Sequence, residues 1–382
     1  MKILHVITSL LDGGAEGVLY RLCYHDKTNE HLIVSLRGQG KYGRLLSKNG
    51  IKIYTLNMKP GKFSIFSLYK LIRILKNEKP NIVQTWLYHA DFFGGIAAKL
   101  AGVNNLIWNI RHSDFSKNHT KISLLILIRI LAKLSYFLPK KIIFCSKNSM
   151  KLHSKIGYSE YKMEYVPNGY DIQKFKPSPT KKSIYRPKDK MNNKVTMLGN
   201  VARFHPQKDH YNLLNALSIL KKRKFFFKCI LVGFNIDKKN KILSKLIKEL
   251  DLNNEIILLG SQNNINKIMK KIDIHILSSA YGEAFPNVVA EAMACGTPCV
   301  VTDVGDSSII VGKTGWIVKC RDSKLLAYNI MKAIEKSKSK DWNYQCQAAR
   351  DRIVNKFTIK QMIECYEKVW LQTSKNSNKI II

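Results

Sequence analysis

Short, nearly continuous apolar runs recur along this chain with helical patterns between them. Ile3–Thr8, Leu32–Leu36, Ile51–Leu56, Ile82–Thr85, Leu106–Asn109 and Ile142–Cys145 have the composition of parallel strands buried on both faces. The pattern lapses after Val166-Pro-Asn-Gly169, where a stretch rich in Lys, Pro and Ser runs to about Asn193. It restarts with Lys194–Gly199, Lys228–Val232, Glu255–Leu259, Ile274–Leu277, Cys299–Thr302 and Gly315–Val318. Two such series predict an α/β protein of two doubly wound, Rossmann-like domains, residues 1–168 and 194–356, with a linker at 169–193 and an interdomain cleft. The closing segment, residues 357–382, has aromatic and aliphatic side chains at helical spacing around Ile359–Trp370 and is expected to pack on the first domain.

Composition adds limits. A length of 382 residues suits two or three domains, and 45% hydrophobic residues exclude a disordered chain. The net charge of +37 favours an anionic partner, such as nucleic acid, a membrane surface or a phosphorylated substrate. Because the excess is spread through an Asn-, Ile- and Lys-rich chain, a biased coding background explains it equally well. The eight Cys form no Cys-x-x-Cys pair and no cluster with His, so reduced thiols are expected and a zinc site is not. The apolar start, Met1 to Leu10, runs into Asp12-Gly13-Gly14 without a small-residue cleavage site, and reads as a first strand rather than a signal peptide. Arg129 and Lys133 interrupt the greasiest stretch, Ile122–Leu138, so no membrane span is expected. Lys121–Lys141 reads as a basic amphipathic helix, either lying on anionic lipid or packed in the core with its lysines reaching solvent.

Three segments carry candidate chemistry. In Tyr281-Gly-Glu283-Ala-Phe-Pro-Asn-Val-Val-Ala-Glu291-Ala-Met-Ala-Cys-Gly-Thr-Pro298, Pro286 suits the first position of a helix and Gly296 its end. The free N–H groups at Phe285, Asn287 and Val288 could hold a diphosphate, Glu283 a sugar and Glu291 a ribose. In Asn200-Val-Ala-Arg203-Phe-His-Pro-Gln-Lys208-Asp209, a strand-to-helix loop presents Arg203 and Lys208, which suit phosphate oxygens, and Asp209 is placed to cap the helix. In the first turn, Gly13 and Gly14 permit close approach of a ligand to the backbone.

Together these residues resemble the retaining family 4 glycosyltransferases of GT-B fold. Glu283 and Glu291 match the family's pair of glutamates separated by seven residues, and Arg203 with Lys208 its phosphate loop. Val166-Pro-Asn-Gly-Tyr-Asp171 is similar to its interdomain hinge, with Tyr170 a departure, and Gly13-Gly14 to its first-loop glycines. The resemblance spans almost the whole chain and implies a nucleotide-sugar donor, UDP-linked by preference, in the second domain. The acceptor would be a glycan or lipid-linked oligosaccharide in cell-surface polysaccharide or lipopolysaccharide synthesis. It implies that Arg203 and Lys208 neutralise the leaving diphosphate, that Glu283 holds the transferred sugar and that His112 contacts it. Trp86, His89 and Asp91, at another strand end, are candidates to meet the acceptor.

No Asp-x-Asp occurs in the sequence, so neither a metal nor another cofactor is expected. Fixed cations and a helix end can stabilise a leaving diphosphate without one. The expectation is a metal-independent hexosyltransferase in the cytoplasm, peripheral on the inner face of the membrane, with no nucleic-acid partner. A GT-B nucleotide-sugar epimerase and a non-enzymatic basic binder of membrane or nucleic acid are the alternatives.

Overall fold

The computed structural model describes residues 1–59, 61, 64–116, 120–178 and 195–375. Much of the expected linker, the start of the strand expected at Lys194, and the last seven residues of the closing segment lie outside the described residues. The chain forms two compact units, Met1–Gly169 with Ile359–Ile382, and Tyr170–Thr358.

The first unit holds strands β1 (Lys2–Ile7), β2 (Glu30–Ser35), β3 (Lys52–Thr55), β4 (Ile82–Trp86), β5 (Leu106–Ile110), β6 (Lys141–Phe144) and β7 (Met163–Tyr165). They form one parallel sheet in the order β3-β2-β1-β4-β5-β6-β7. Helices α1 (Gly14–His25), α2 (Gly40–Lys48), α3 (Ile65–Glu78), α4 (Tyr88–Leu100), α5 (Ile122–Leu134) and α6 (Lys147–Lys155) alternate with them. Leu71, Phe93 and Leu131 of α3, α4 and α5 pack on one face of the sheet. Side-chain caps start several helices: Ser64 Oγ accepts the Ser67 N–H of α3 at 3.2 Å, and Ser146 Oγ the Ser149 N–H of α6 at 3.1 Å.

Helix α5 ends at Leu134, short of the basic amphipathic helix expected over Lys121–Lys141, and Lys141 opens β6 instead. Ser135 ends it, donating from Oγ to the Ala132 carbonyl at 2.6 Å and accepting the Ser159 N–H at 2.9 Å. Its inner face buries Ile128 and Leu131, while Ile122, Ile126 and Ile130, one turn apart, are exposed. No helix among the described residues is long and apolar enough to cross a membrane.

The second unit holds β8 (Thr196–Val201), β9 (Phe227–Val232), β10 (Ile256–Leu258), β11 (Ile274–Leu277), β12 (Cys299–Thr302) and β13 (Trp316–Val318), parallel and ordered β10-β9-β8-β11-β12-β13. Its helices are α7 (His210–Lys222), α8 (Lys241–Glu249), α9 (Ile265–Met269), α10 (Asn287–Ala294), α11 (Ser307–Val311), α12 (Ser323–Ser337) and α13 (Trp342–Lys356). The last helix, α14 (Ile359–Lys375), belongs to the first unit, where Met362, Tyr366 and Trp370 join the core beneath α1. There the Trp370 indole N–H donates to Gln84 Oε1 at 2.7 Å.

In both sheets the chain order reverses beside the first strand, at β1/β4 and at β8/β11. Loops leaving the carboxyl ends of strands at such a reversal are where doubly wound folds bind ligands.

The second unit buries two uncharged histidines whose ring nitrogens have no hydrogen-bond partner, His210 and His275. Burial holds their pKa values down, to about 4 and about 3. Folded values below the unfolded one, about 6.5, mean that the unfolded chain binds more protons in acid. Stability is therefore complete above about pH 6.5 and falls below it, by about 2 kcal/mol per histidine at pH 5. Hydrogen exchange of β8–β11 peptides should show this loss of protection between pH 7 and pH 5. In a His275→Leu variant the loss should be roughly halved.

Candidate functional site

The site residues read from the sequence fall in both units, and each unit is described by itself. Arg203, Lys208, Glu283, Phe285, Asn287, Val288 and Glu291 lie in the second; Gly13, Gly14, Trp86, His89, Asp91 and His112 lie in the first.

In the second unit, β8 and β11 end side by side and their loops are stitched together. Ala280 N–H donates to the Gln207 carbonyl at 2.9 Å, and Ser278 Oγ to the Lys208 carbonyl at 2.8 Å. These bonds bring Lys208 and Glu283, 75 residues apart, into a salt bridge. Glu283 Oε1 also accepts from Ser279 Oγ at 2.7 Å, and the residue is buried. Arg203 projects from the same loop at the surface. Asp209 caps α7, accepting the Asn212 N–H at 3.1 Å from a left-handed backbone, φ 47°.

A third loop supports the glutamate. Gly305, after β12, has φ +65°, and a side chain there would meet the Glu283 carbonyl oxygen at 2.0 Å. Asp306 N–H donates to the Ala284 carbonyl at 2.9 Å. Sequence reading missed Ser278, Ser279 and Gly305; their signal was the run of small or hydroxyl residues just beyond two buried strands.

Helix α10 begins at Asn287, with Pro286 as its cap rather than its first residue, because the Pro286 ψ of 101° is extended. No side chain caps this end and no acid lies in its first turn, so its positive dipole end is uncompensated. The Phe285 side chain is buried between Tyr170 and Phe357, with ring centroids at 6.5 and 5.5 Å. It supports the loop from behind, leaving backbone rather than ring to face a ligand. Tyr170 donates its hydroxyl to Asn287 Oδ1 at 2.8 Å, anchoring the start of the helix. Val288 and Glu291, within α10, are partly exposed.

In the first unit, Gly13 precedes α1 with an extended backbone, and Gly14 is its first residue. A side chain on Gly13 would strike the Glu16 carboxylate at 2.3 Å, so the glycine admits the returning glutamate. Glu16 accepts from Ser9 Oγ at 3.0 Å, and burial raises its carboxyl above the ordinary value.

His112 is partly buried, which lowers its pKa. Its Nε2–H donates to the Asp114 carbonyl at 2.6 Å, which leaves Nδ1 as an acceptor. The His112 carbonyl accepts from Ser149 Oγ at 2.5 Å, and its ring lies edge-on to Tyr88.

Of the three residues proposed to meet an acceptor, only His89 is exposed. Trp86 is wholly buried, donating to His5 Nδ1 at 3.2 Å, and Asp91 is wholly buried against Thr85 Oγ1 at 2.5 Å. Burial also raises the Asp91 carboxyl well above its ordinary range. The sequence showed that all three follow one strand but not which way their side chains turn.

Among the described residues, His5, Cys23 and His31 have metal-ligand spacing. Their protons already form a closed chain. Trp86 occupies His5 Nδ1, so His5 Nε2–H donates to His31 Nδ1 at 3.0 Å, and His31 Nε2–H donates to Asp26 at 3.0 Å. A metal on His5 Nε2 would displace the bond to His31, and the group is better satisfied as hydrogen bonds.

Comparison with known proteins agrees with this architecture. The family model "Glycosyltransferase Family 4" matches residues 12–174, and "Glycosyl transferases group 1" matches residues 181–350. The chain belongs to the family 4 glycosyltransferases. The UDP-Gal:alpha-D-GlcNAc-diphosphoundecaprenol alpha-1,3-galactosyltransferase of Escherichia coli is 24% identical over 82% of this chain and 80% of its own. The N,N'-diacetylbacillosaminyl-diphospho-undecaprenol alpha-1,3-N-acetylgalactosaminyltransferase of Campylobacter jejuni is 24% identical over 82% and 85%. The structure of Anabaena HepE in complex with UDP superposes with a TM-score of 0.84, at 22% identity, over 97% of this chain and all of that one. At that identity the superposition shows the GT-B fold: this family 4 glycosyltransferase consists of two Rossmann-like units.

Proposed function

We propose that this glycosyltransferase moves a hexosyl group from a UDP-sugar to a lipid-diphosphate-linked glycan, with retention of configuration and without a metal. The observation that carries the reading is the convergence of Lys208 and Glu283 beside the uncapped α10 terminus. An anionic leaving group would find Lys208, Arg203 and the backbone N–H groups of Asn287 and Val288 preorganised, at no cost of reorganisation during reaction. A sugar on that diphosphate would meet the Glu283 carboxylate. Glu291 would hold the ribose, and His112 Nδ1 offers an acceptor for a sugar hydroxyl.

UDP is the preferred carrier because HepE was solved with UDP and with UDP-glucose. The alpha linkages in the names of the Escherichia and Campylobacter relatives support retention, since UDP-galactose is itself alpha-linked. The diphosphoundecaprenol acceptors in those names, and the capsular polysaccharide role named for a Staphylococcus aureus relative, support a lipid-linked acceptor and polysaccharide synthesis; lipopolysaccharide is the related alternative.

A peripheral position on the inner face of the cytoplasmic membrane fits such an acceptor. The exposed Ile122, Ile126 and Ile130 of α5, with Arg129 and Lys133 on the same helix, suit an anionic bilayer surface. The enzyme should co-sediment with vesicles containing phosphatidylglycerol and not with purely zwitterionic ones; equal binding to both would remove the charge from the account.

Incubating the purified protein with UDP-, GDP- and ADP-sugars and a prenyl-diphosphate-linked sugar tests the central reading. Transfer from a UDP-sugar to an alpha-linked product is expected. Beta-linked product would overturn retention, and transfer only from GDP- or ADP-sugars would overturn the donor assignment.

A further inference from the structure

At the carboxyl edge of the first unit's sheet, the register sets Ile7 beside Ser35 of β2 and Trp86 of β4. Thr8, Arg37 and His89 follow these three positions by one to three residues, so they leave the sheet side by side at its point of reversal. Arg37 makes no hydrogen bond or ion pair with any described residue, in a unit where Lys2, Lys41, Lys52 and Lys141 all find carboxylates. The Thr8 hydroxyl is enclosed and has no hydrogen-bond partner. His89 is exposed, and after burial the charge of Arg37 is what lowers its pKa. Leu87, which leads the chain into this corner, holds φ 73° and ψ 151°, a region that only glycine adopts freely. Two basic residues thus leave the sheet together at its point of reversal.

The neighbouring chain adds an apolar ledge. Met58 N–H donates to the Leu36 carbonyl at 2.8 Å, which ties the chain leaving β3 to the residue before Arg37. The first turns of α3, at the same edge of the sheet, expose Ile65, Phe66 and Tyr69, at 78%, 74% and 59% of their full areas. Apolar side chains open to solvent at the same sheet edge as an unpaired guanidinium match a molecule with an anionic head and a greasy tail.

We propose that Arg37 and His89 bind the diphosphate of the lipid-linked acceptor, and that Ile65, Phe66 and Tyr69 of α3 receive the start of its lipid chain. This rests on the acceptor class argued above. Arg37 would fork across two phosphate oxygens, and His89 would add a donor or a second charge.

Isothermal titration with farnesyl diphosphate, farnesyl monophosphate and inorganic pyrophosphate tests the site, alongside UDP binding and sugar transfer. Arg37→Ala should weaken farnesyl diphosphate binding at least about tenfold, with partial recovery in Arg37→Lys and unchanged affinity for UDP. Farnesyl diphosphate should bind more tightly than either of the other two ligands. Pyrophosphate binding as tight as farnesyl diphosphate would overturn the role of α3, and unchanged farnesyl diphosphate binding in Arg37→Ala would overturn the whole site. If Arg37→Ala weakened binding to phosphatidylglycerol vesicles equally, the residue would serve bilayer headgroups and the proposal would fall. Transfer to a diphosphate-linked acceptor with an unchanged acceptor KM in Arg37→Ala would sink this site and leave the functional reading intact. Arg37-dependent binding without any such transfer would do the reverse.

Discussion

Lys208→Ala is expected to lower sugar transfer by about 10²–10³-fold, the effect of removing one preorganised group that stabilises developing negative charge. Its loss acts twice. The departing diphosphate loses a fixed cation, and Glu283, buried and salt-bridged to Lys208, loses that countercharge. Breaking such a pair by removing one partner costs more than the pair contributes, because a carboxylate is left enclosed without its countercharge. The two substitutions should differ in what they spare. Lys208→Ala should weaken UDP binding as well as turnover, whereas Glu283→Ala should abolish transfer and leave UDP affinity within about twofold, since its partner is the sugar. Because the two side chains act as a unit, the double variant should be little worse than the worse single one. Full transfer in Lys208→Ala would remove the lysine from the leaving-group site.

Gly305→Ala should be nearly as damaging, although Gly305 is placed against no substrate. A methyl group there would stand 2.0 Å from the Glu283 carbonyl oxygen and 2.8 Å from that of Ala284, on a backbone at φ +65°. These contacts are to backbone, which cannot step aside as a flexible side chain can. The loop bearing Glu283 must move, and a shift of about 1 Å at a reacting group can cost about 10² in rate. We expect transfer to fall by at least that factor and the second unit to lose about 3 kcal/mol, within the range of backbone-strain substitutions. Gly50→Ala is the control: its φ is +80°, but nothing lies within 4 Å of the added methyl, so it should cost only about 1 kcal/mol and no activity. Hydrogen exchange separates the cases, since only Gly305→Ala should deprotect β11 and β12.

Much of the architecture was legible because parallel strands covered on both faces are written as apolar runs. Ile274–Leu277 and Cys299–Thr302 were read to the residue. Strand β7 was not, because Met163-Glu-Tyr165 is an edge strand of three half-buried residues with a charge at its centre. The loops bearing Lys208 and Glu283 were legible as motifs, and the structure joins the two side chains in a salt bridge. What stayed hidden depends on the direction of side chains and on contacts remote in sequence. Trp86 and Asp91 share a strand end with His89 yet turn inward, toward His5 and Thr85. Tyr170, read as a departure from the family's hinge, supports Asn287 through a bond across 117 residues. No periodicity announces either.

The first unit is built from two pieces of chain, and that has a consequence for synthesis. Residues 1–169 emerge from the ribosome before the second unit, but Gln84, Trp86 and His5 are covered by Tyr366 and Trp370 of α14, which is made only after that unit. The N-terminal unit must therefore wait with that apolar face open while the uninterrupted second unit can fold as soon as it is complete. Nascent chains stalled before Ile359 should be the form of this protein that chaperones hold, and the completed helix the event that releases them.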